Sequence, residues 1–138
     1  NYAAHSLDKI CYLTQSDIAW ATGSCTYLQP GTDVDGSAQM LLRTSSGISA
    51  SISLCGYSVV PINETMLFFA NGSLRLHTGS DLSVTCGSGY EAVDTSSYPN
   101  AFEAQWADFI SGVRAGRILY CDGTYGASIV RTIELLYH

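Results

Sequence analysis

The chain has 138 residues, of which 46% are hydrophobic and 13% are charged, a composition that predicts one ordered domain and excludes a disordered segment. Twelve acidic and six basic residues give a formal charge of −6, and Lys9 is the single lysine, so the clustered cations of a nucleic-acid-binding protein are missing. Because no apolar run approaches the roughly 20 residues of a membrane-spanning helix, we expect no membrane span.

The chain begins with a predicted amphipathic helix over residues 2–13. No capping signal precedes the helix, so we expect it to be already running at the first residue, as at a junction with another domain. Apolar side chains recur along it at helical spacing: Ala3, Ala4, Leu7, Ile10 and Cys11.

Strand-like segments follow over residues 17–28, 38–43 and 48–54. The third alternates strictly between apolar side chains and serines, which is typical of a half-buried strand. Its two faces carry Ile48, Ala50, Ile52 and Leu54 on one side and Ser49, Ser51 and Ser53 on the other.

Residues 66–70 are apolar on both faces, which predicts a strand covered on both sides. Asn71 and Gly72 come next and predict a type I′ hairpin turn, whose two central residues need positive φ. A return strand and one further strand are indicated by Leu74, Arg75, Leu76 and His77 and by Leu82, Val84 and Cys86.

Two amphipathic helices close the chain. Asn100, with Glu103 three residues later, predicts the start of the first, and Gly116 predicts its end. Asp122 is the predicted N-cap of the second. Their apolar faces comprise Phe102, Trp106, Phe109, Ile110 and Val113 in the first helix and Tyr125, Ile129, Val130, Ile133 and Leu136 in the second.

This order of elements, a helix, about six strands and two helices, predicts an α+β fold. Short turns between the strands favour an open-faced, mostly antiparallel β-sheet with the helices packed on one face.

The five cysteines are not paired in sequence, and their odd number argues against a zinc site or a complete disulfide framework. We expect no metal site, and reduced, mostly buried thiols in a cytoplasmic protein. They are Cys11, Cys25, Cys55, Cys86 and Cys121.

Polar side chains group on one side of the first helix. On a wheel of about 100° per residue, Asn1, His5, Asp8 and Tyr12 fall within about 60° of one another. Such donors and acceptors suit a polyhydroxylated substrate, and a histidine one turn from a carboxylate can relay a proton. The alternative, a polar face that is merely solvated, is the commoner reason for such a stripe and stays open.

The opening segment Asn1-Tyr2-Ala3-Ala4-His5-Ser6-Leu7-Asp8 resembles the G-x-H-x-x-D helix at the domain junction of the glucose–fructose oxidoreductase/inositol dehydrogenase (Gfo/Idh/MocA) family. Residues 33–38, the strand–turn–strand of residues 65–74 and the two closing helices resemble later elements of that family in the same order. The resemblance covers nearly the whole chain.

The resemblance implies that residues 1–138 form a single C-terminal domain that binds substrate and dimerises, and that an N-terminal Rossmann domain outside this chain binds NAD or NADP. It implies that His5 is the catalytic acid/base and that Asp8 contacts a sugar, cyclitol or similar polyol. Together with the polar stripe, it makes Asn1, Asp8 and Tyr12 the predicted substrate-binding residues. The family's catalytic lysine lies upstream, so this chain alone is expected to be inactive.

One position departs from the family pattern. Members with a full catalytic dyad carry aspartate where this chain has Asn1, and an amide cannot charge-stabilise an imidazolium. The alternative function is therefore a non-catalytic dimerisation or ligand-sensing module.

In either case we expect a homodimer through the sheet face that carries Arg43, Ser49, Ser51, Ser53, Arg75 and His77.

Overall fold

The computed structural model describes residues 2–26, 36–56, 59–77, 79 and 81–135. In chain order its elements are α1 (Tyr2–Thr14), β1 (Ile18–Thr26), β2 (Ser37–Thr44), β3 (Ser49–Cys55), β4 (Glu64–Phe69), β5 (Gly72–His77), β6 (Asp81–Thr85), β7 (Glu91–Ala92), α2 (Ala101–Ala115) and α3 (Gly123–Glu134). The predicted α+β class with open antiparallel sheets is confirmed. The strands of these residues, however, form a sheet of three and a sheet of four.

The chain divides into two compact units. The first comprises Asn1–Ser58 and Ile118–His138, and the second comprises Val59–Arg117. Each unit contains one of the two sheets, because β1, β2 and β3 pair in that order and β4, β5, β6 and β7 pair separately.

The hydrophobic core of the first unit lies between its sheet and α1 and α3. Alternation along β2 buries Ala38, Met40 and Leu42 on the face that these helices cover. The predicted alternation is confirmed within β3, since Ile52 is buried between exposed serines, but Ile48, which precedes the strand, is 45% exposed. The buried hydrophobic side chains of the described residues all belong to this unit: Leu7, Cys11, Ala38, Met40, Leu42, Ile52 and Ile129.

The second unit contains the antiparallel sheet β4-β5-β6-β7. The prediction that residues 66–70 form a strand covered on both sides is wrong, because β4 is an edge strand and Met66 and Phe68 are 44% and 76% exposed. The cross-strand partners of these two side chains are Arg75 and Ser73, so both lie beside polar side chains on their face of the sheet.

The hairpin between β4 and β5 is confirmed, but its turn is not the predicted type I′ turn. Phe69 pairs with Gly72, so Ala70 and Asn71 form the loop, and neither Asn71 nor Gly72 has positive φ. Gly72 is needed for space instead, because a Cβ atom there would lie 2.2 Å from the carbonyl oxygen of Thr85 on β6.

The predicted helix ends are confirmed. The Asn100 side chain accepts a hydrogen bond from the Phe102 backbone at 2.9 Å, and Gly116 ends α2 in the left-handed conformation with φ of 63°. Asp122 caps α3 by accepting from the backbone N–H of Tyr125 at 2.8 Å. None of the described helices is long and apolar enough to cross a membrane.

The apolar faces of the closing helices differ from the prediction in their burial. On α3, Ile129 is buried but Val130 is 54% exposed, because consecutive helical residues point about 100° apart. Thr132 is buried in its place. Most of the α2 face is exposed, including Phe102, Trp106, Phe109 and Val113, while Leu136 lies outside the described residues.

The cysteines are free, but the prediction that most are buried is wrong. Cys11 is buried and Cys25 is half-buried, whereas Cys55, Cys86 and Cys121 are exposed. Cys55 ends β3 in phase with the exposed serines of that strand, so the alternation itself directs it away from the core, while Cys86 and Cys121 lie outside the regular elements.

Two glycine substitutions separate crowding from backbone entropy. We expect Gly72→Ala to lower the free energy of unfolding by about 1–3 kcal/mol, because β6 must move away from the new methyl group. Gly126→Ala in α3 is the matched control: nothing lies within 4 Å of its Cβ position, and we expect a gain of about 0.5–1 kcal/mol. Denaturant unfolding measures both, and equal stability of the Gly72 variant and wild type would contradict the close approach.

Candidate functional site

The polar stripe predicted on α1 lies on the exposed side of that helix. Leu7 and Cys11 are 0% and 3% exposed and fix the face that points to the core. His5, Asp8 and Tyr12 consequently face solvent, and Tyr12 is 58% exposed. Asn1, the fourth predicted site residue, lies outside the described residues.

Asp8 is joined to the closing helix by a strong hydrogen bond. The hydroxyl of Tyr125 donates to Asp8 Oδ1 at 2.6 Å, across a sequence separation of 117 residues. This length is typical of a hydroxyl donor on a charged acceptor. The bond fixes one carboxylate oxygen on the exposed side of α1 relative to the start of α3.

Three tyrosine rings lie together beside this carboxylate. The ring of Tyr120 meets that of Tyr12 edge-on, with centroids 5.5 Å apart, and packs on that of Tyr125 at 5.1 Å. Edge-to-face and tilted contacts of this kind are favourable because the ring edge is positive and the face negative. Tyr12, Tyr120, Tyr125 and Asp8 are called here the tyrosine cluster.

The surroundings of Tyr120 and Tyr125 favour the protonated form of these two phenols. Partial burial raises the pKa of Tyr125, and the hydrogen bond to Asp8 and the negative charge of Asp8 raise it further. Burial likewise raises the pKa of Tyr120. Tyr125 is therefore a hydrogen-bond donor throughout the neutral pH range.

Cys11 is not suited to nucleophilic chemistry. Burial raises the pKa of its thiol, and the charges of Asp17 and Asp8 raise it further, so the reactive thiolate is disfavoured.

No ion pair joins His5 to Asp8 in the described part of the chain, where Glu64 and Asp108 are among the residues that do form ion pairs. The partner of Asp8 is Tyr125, which sequence reasoning placed on the apolar face of α3. A tyrosine three residues after an N-cap gives no sequence signal that distinguishes an apolar contact from a hydrogen bond. Among the described residues, no group of three His, Cys, Asp or Glu side chains could hold a metal ion.

The residues predicted to form a dimer interface occur in both sheets. In the first unit, Arg43, Ser49, Ser51 and Ser53 are exposed on the sheet face opposite the core. Trp20 and Leu41 are cross-strand partners of Arg43 and Ser51 on that face, and they are 52% and 57% exposed. In the second unit, Arg75 and His77 lie beside Glu64, with which Arg75 forms an ion pair.

Removal of one hydroxyl tests the contact between Tyr125 and Asp8. We expect Tyr125→Phe to lower the free energy of unfolding by about 1 kcal/mol at neutral pH. Because the pKa of Tyr125 is raised in the folded state, this hydrogen bond contributes its full stability below the ordinary tyrosine pKa of about 10. The contribution is lost as the pH rises above that value. The difference from wild type should therefore shrink in alkaline solution.

Tyr98→Phe is the matched control for that unfolding experiment, since Tyr98 is 74% exposed. It should change stability little at any pH. An equal effect of the two substitutions would show that the Asp8 contact contributes nothing to stability.

No protein-family model matches the sequence, and no curated protein sequence matches it. Sixty-five chains of solved structures match its structure. One is the aldose-aldose oxidoreductase from Caulobacter crescentus complexed with glycerol, with a TM-score of 0.85 and 19% identity over 98% of this chain and 42% of that chain. Another is the UDP-N-acetylglucosamine 3-dehydrogenase GnnA from Acidithiobacillus ferrooxidans, with a TM-score of 0.81 and 20% identity over 98% of this chain and 44% of that chain.

A third is a levoglucosan dehydrogenase in complex with NADH and levoglucosan, with a TM-score of 0.78 and 16% identity over 96% of this chain and 47% of that chain. The chain thus spans less than half the length of these structures. Identities this low establish a shared fold. The fold of this chain is found in somewhat under half of the length of oxidoreductases of the Gfo/Idh/MocA type, as the sequence resemblance implied.

Proposed function

We propose that this chain is the C-terminal substrate-binding and dimerisation domain of an NAD(P)-dependent oxidoreductase that acts on a sugar, cyclitol or similar polyol. The observation that carries the proposal is the combination of a fold shared with sugar oxidoreductases over 98% of the chain and an exposed His5–Asp8 face on α1. The free cysteines suit a reducing compartment, and we place the protein in the cytoplasm.

The proposed cofactor is NAD or NADP, bound mainly by a Rossmann domain beyond this chain, and it would accept a hydride from the substrate carbon. The levoglucosan dehydrogenase of similar fold was solved with NADH, which supports a nicotinamide cofactor. No cofactor-binding residue is assigned within the described part of the chain.

The residues of α1 have distinct roles in this proposal. His5 takes the proton of the reacting hydroxyl. The C–H bond at the same carbon breaks at the same time, and its hydrogen leaves with both electrons as a hydride, so that a carbonyl remains. Asp8 accepts a hydrogen bond from another hydroxyl of the same substrate, and Tyr12 and Asn1 contact it further along the stripe. Exposure of the three described side chains leaves them accessible to a ligand.

Replacement of His5 tests its role as the proton acceptor. In the full-length protein we expect His5→Ala to reduce kcat/KM by about 10²–10⁴-fold, the usual contribution of a general base. Activity is followed as reduction of NAD⁺ or NADP⁺ with glucose, myo-inositol and glycerol as substrates.

Glu103→Ala serves as the control, because Glu103 is exposed on α2, away from α1 in sequence and outside the stripe. Its turnover should match that of wild type. Activity of the His5 variant equal to the control would remove His5 from the mechanism, and a complete lack of nicotinamide-linked activity in the wild type would favour the alternative, a non-catalytic dimerisation or ligand-sensing module.

The proposed homodimer uses the sheet face of the first unit that carries Arg43, Ser49, Ser51 and Ser53. Its support is the presence of two large exposed apolar side chains, Trp20 and Leu41, among small hydroxyl residues on the outer face of the first sheet. An exposed sheet face of this composition suits a self-complementary interface related by a two-fold axis.

Introduction of a charge tests the dimer. We expect wild-type protein to sediment as a dimer and Leu41→Arg to sediment as a monomer, because two-fold symmetry would place two new cations in the interface. Leu135→Arg is the control at a leucine that is 65% exposed at the end of α3. A wild-type protein that remains monomeric at high concentration would contradict the proposed interface.

A further inference from the structure

The tyrosine cluster contains a residue that the proposed mechanism does not use. We propose that Tyr125 is a positioning residue that holds the Asp8 carboxylate in the orientation in which it accepts a second hydroxyl of a polyol bound at His5. This proposal rests on the proposed function of α1 and adds a residue of α3 to its substrate specificity.

Tyr125 is itself held by several independent contacts. Its backbone N–H donates to Asp122 Oδ1 at 2.8 Å, its ring packs on Tyr120, and it borders the hydrophobic core. Its hydroxyl donates to Asp8 Oδ1 at 2.6 Å. An exposed aspartate otherwise moves among several rotamers, so this bond to a fixed partner restricts the carboxylate before a ligand arrives.

The bond leaves Asp8 able to bind a ligand. An ionised carboxylate has two oxygens and about four acceptor positions, and Tyr125 occupies one of those on Oδ1. Asp8 also remains exposed to solvent. A second hydroxyl can therefore donate to the same carboxylate without displacing Tyr125.

The spacing on α1 selects the class of substrate. His5 and Asp8 are three residues apart on one helical face, and the rise of about 1.5 Å per residue separates them by about 4.5 Å along the axis. A substrate that contacts both must carry two hydroxyls separated by a few ångströms, as in a cyclic polyol or a sugar ring. A mono-alcohol that contacts His5 has no second hydroxyl to donate to Asp8.

Kinetics of the full-length protein with myo-inositol and glucose test the positioning role. Tyr125→Phe should raise KM for the polyol roughly tenfold through loss of orientation, with a smaller change in kcat and none in KM for the nicotinamide. Tyr98→Phe, a matched loss of an exposed hydroxyl, should have no effect.

A double-mutant cycle with Asp8→Ala separates positioning from a purely structural effect. If Tyr125 acts through Asp8, Tyr125→Phe should change KM in the wild-type background and should leave it unchanged in the Asp8→Ala background. Additive effects of the two substitutions, or an effect of Tyr125→Phe no larger than that of Tyr98→Phe, would overturn the proposal.

Calorimetric titration of the full-length protein with myo-inositol and glucose distinguishes failure of this inference from failure of the proposed function. Binding that weakens in Tyr125→Phe, without any nicotinamide-linked turnover, would retain the positioning role and overturn the oxidoreductase assignment. Turnover that is insensitive to Tyr125→Phe would retain the assignment and overturn the positioning role. Absence of both turnover and binding with these two probes would overturn both.

Discussion

Burial of one face of α1 is the constraint on which the candidate site depends. Leu7 is 0% exposed and Cys11 is 3% exposed, and both pack with β2 side chains and Ile129 of α3. Because these apolar side chains are buried on one side of the helix, the helical repeat places His5, Asp8 and Tyr12 on the exposed side. The same packing brings the start of α3 to α1 and allows Tyr125 to reach Asp8.

The features that sequence reasoning predicted correctly are those set by local rules. The alternation along β3 follows from the two-residue period of a strand, and Ile52 is buried between exposed serines as expected. The caps Asn100 and Asp122 follow from the need of a helix N-terminus for acceptors, and both accept the expected backbone bonds. The separation of apolar and polar side chains on opposite sides of the first helix similarly places His5 and Asp8 on the exposed side of α1.

Other features depend on contacts between distant residues, for which a single sequence carries little signal. The apolar segment of residues 66–70 is predicted to be covered on both faces, yet Phe68 is 76% exposed, because coverage of a sheet face depends on which distant elements pack over it and not on the apolar character of the strand. Asn71 and Gly72 suggested a type I′ turn, but the register Phe69–Gly72 and the crowding by Thr85 decide what Gly72 does. The bond between Asp8 and Tyr125 spans 117 residues and could not be predicted from either neighbourhood alone.

A crystal structure of the full-length protein with a nicotinamide cofactor and myo-inositol or glucose tests the central claim, that the exposed face of α1 is a polyol site, most directly. We expect one substrate hydroxyl within hydrogen-bond distance of His5 and a second on the Asp8 carboxylate, with Tyr125 still donating to the same carboxylate. A polyol bound away from α1, or an α1 face covered by another part of the protein with no room for a ligand, would contradict it.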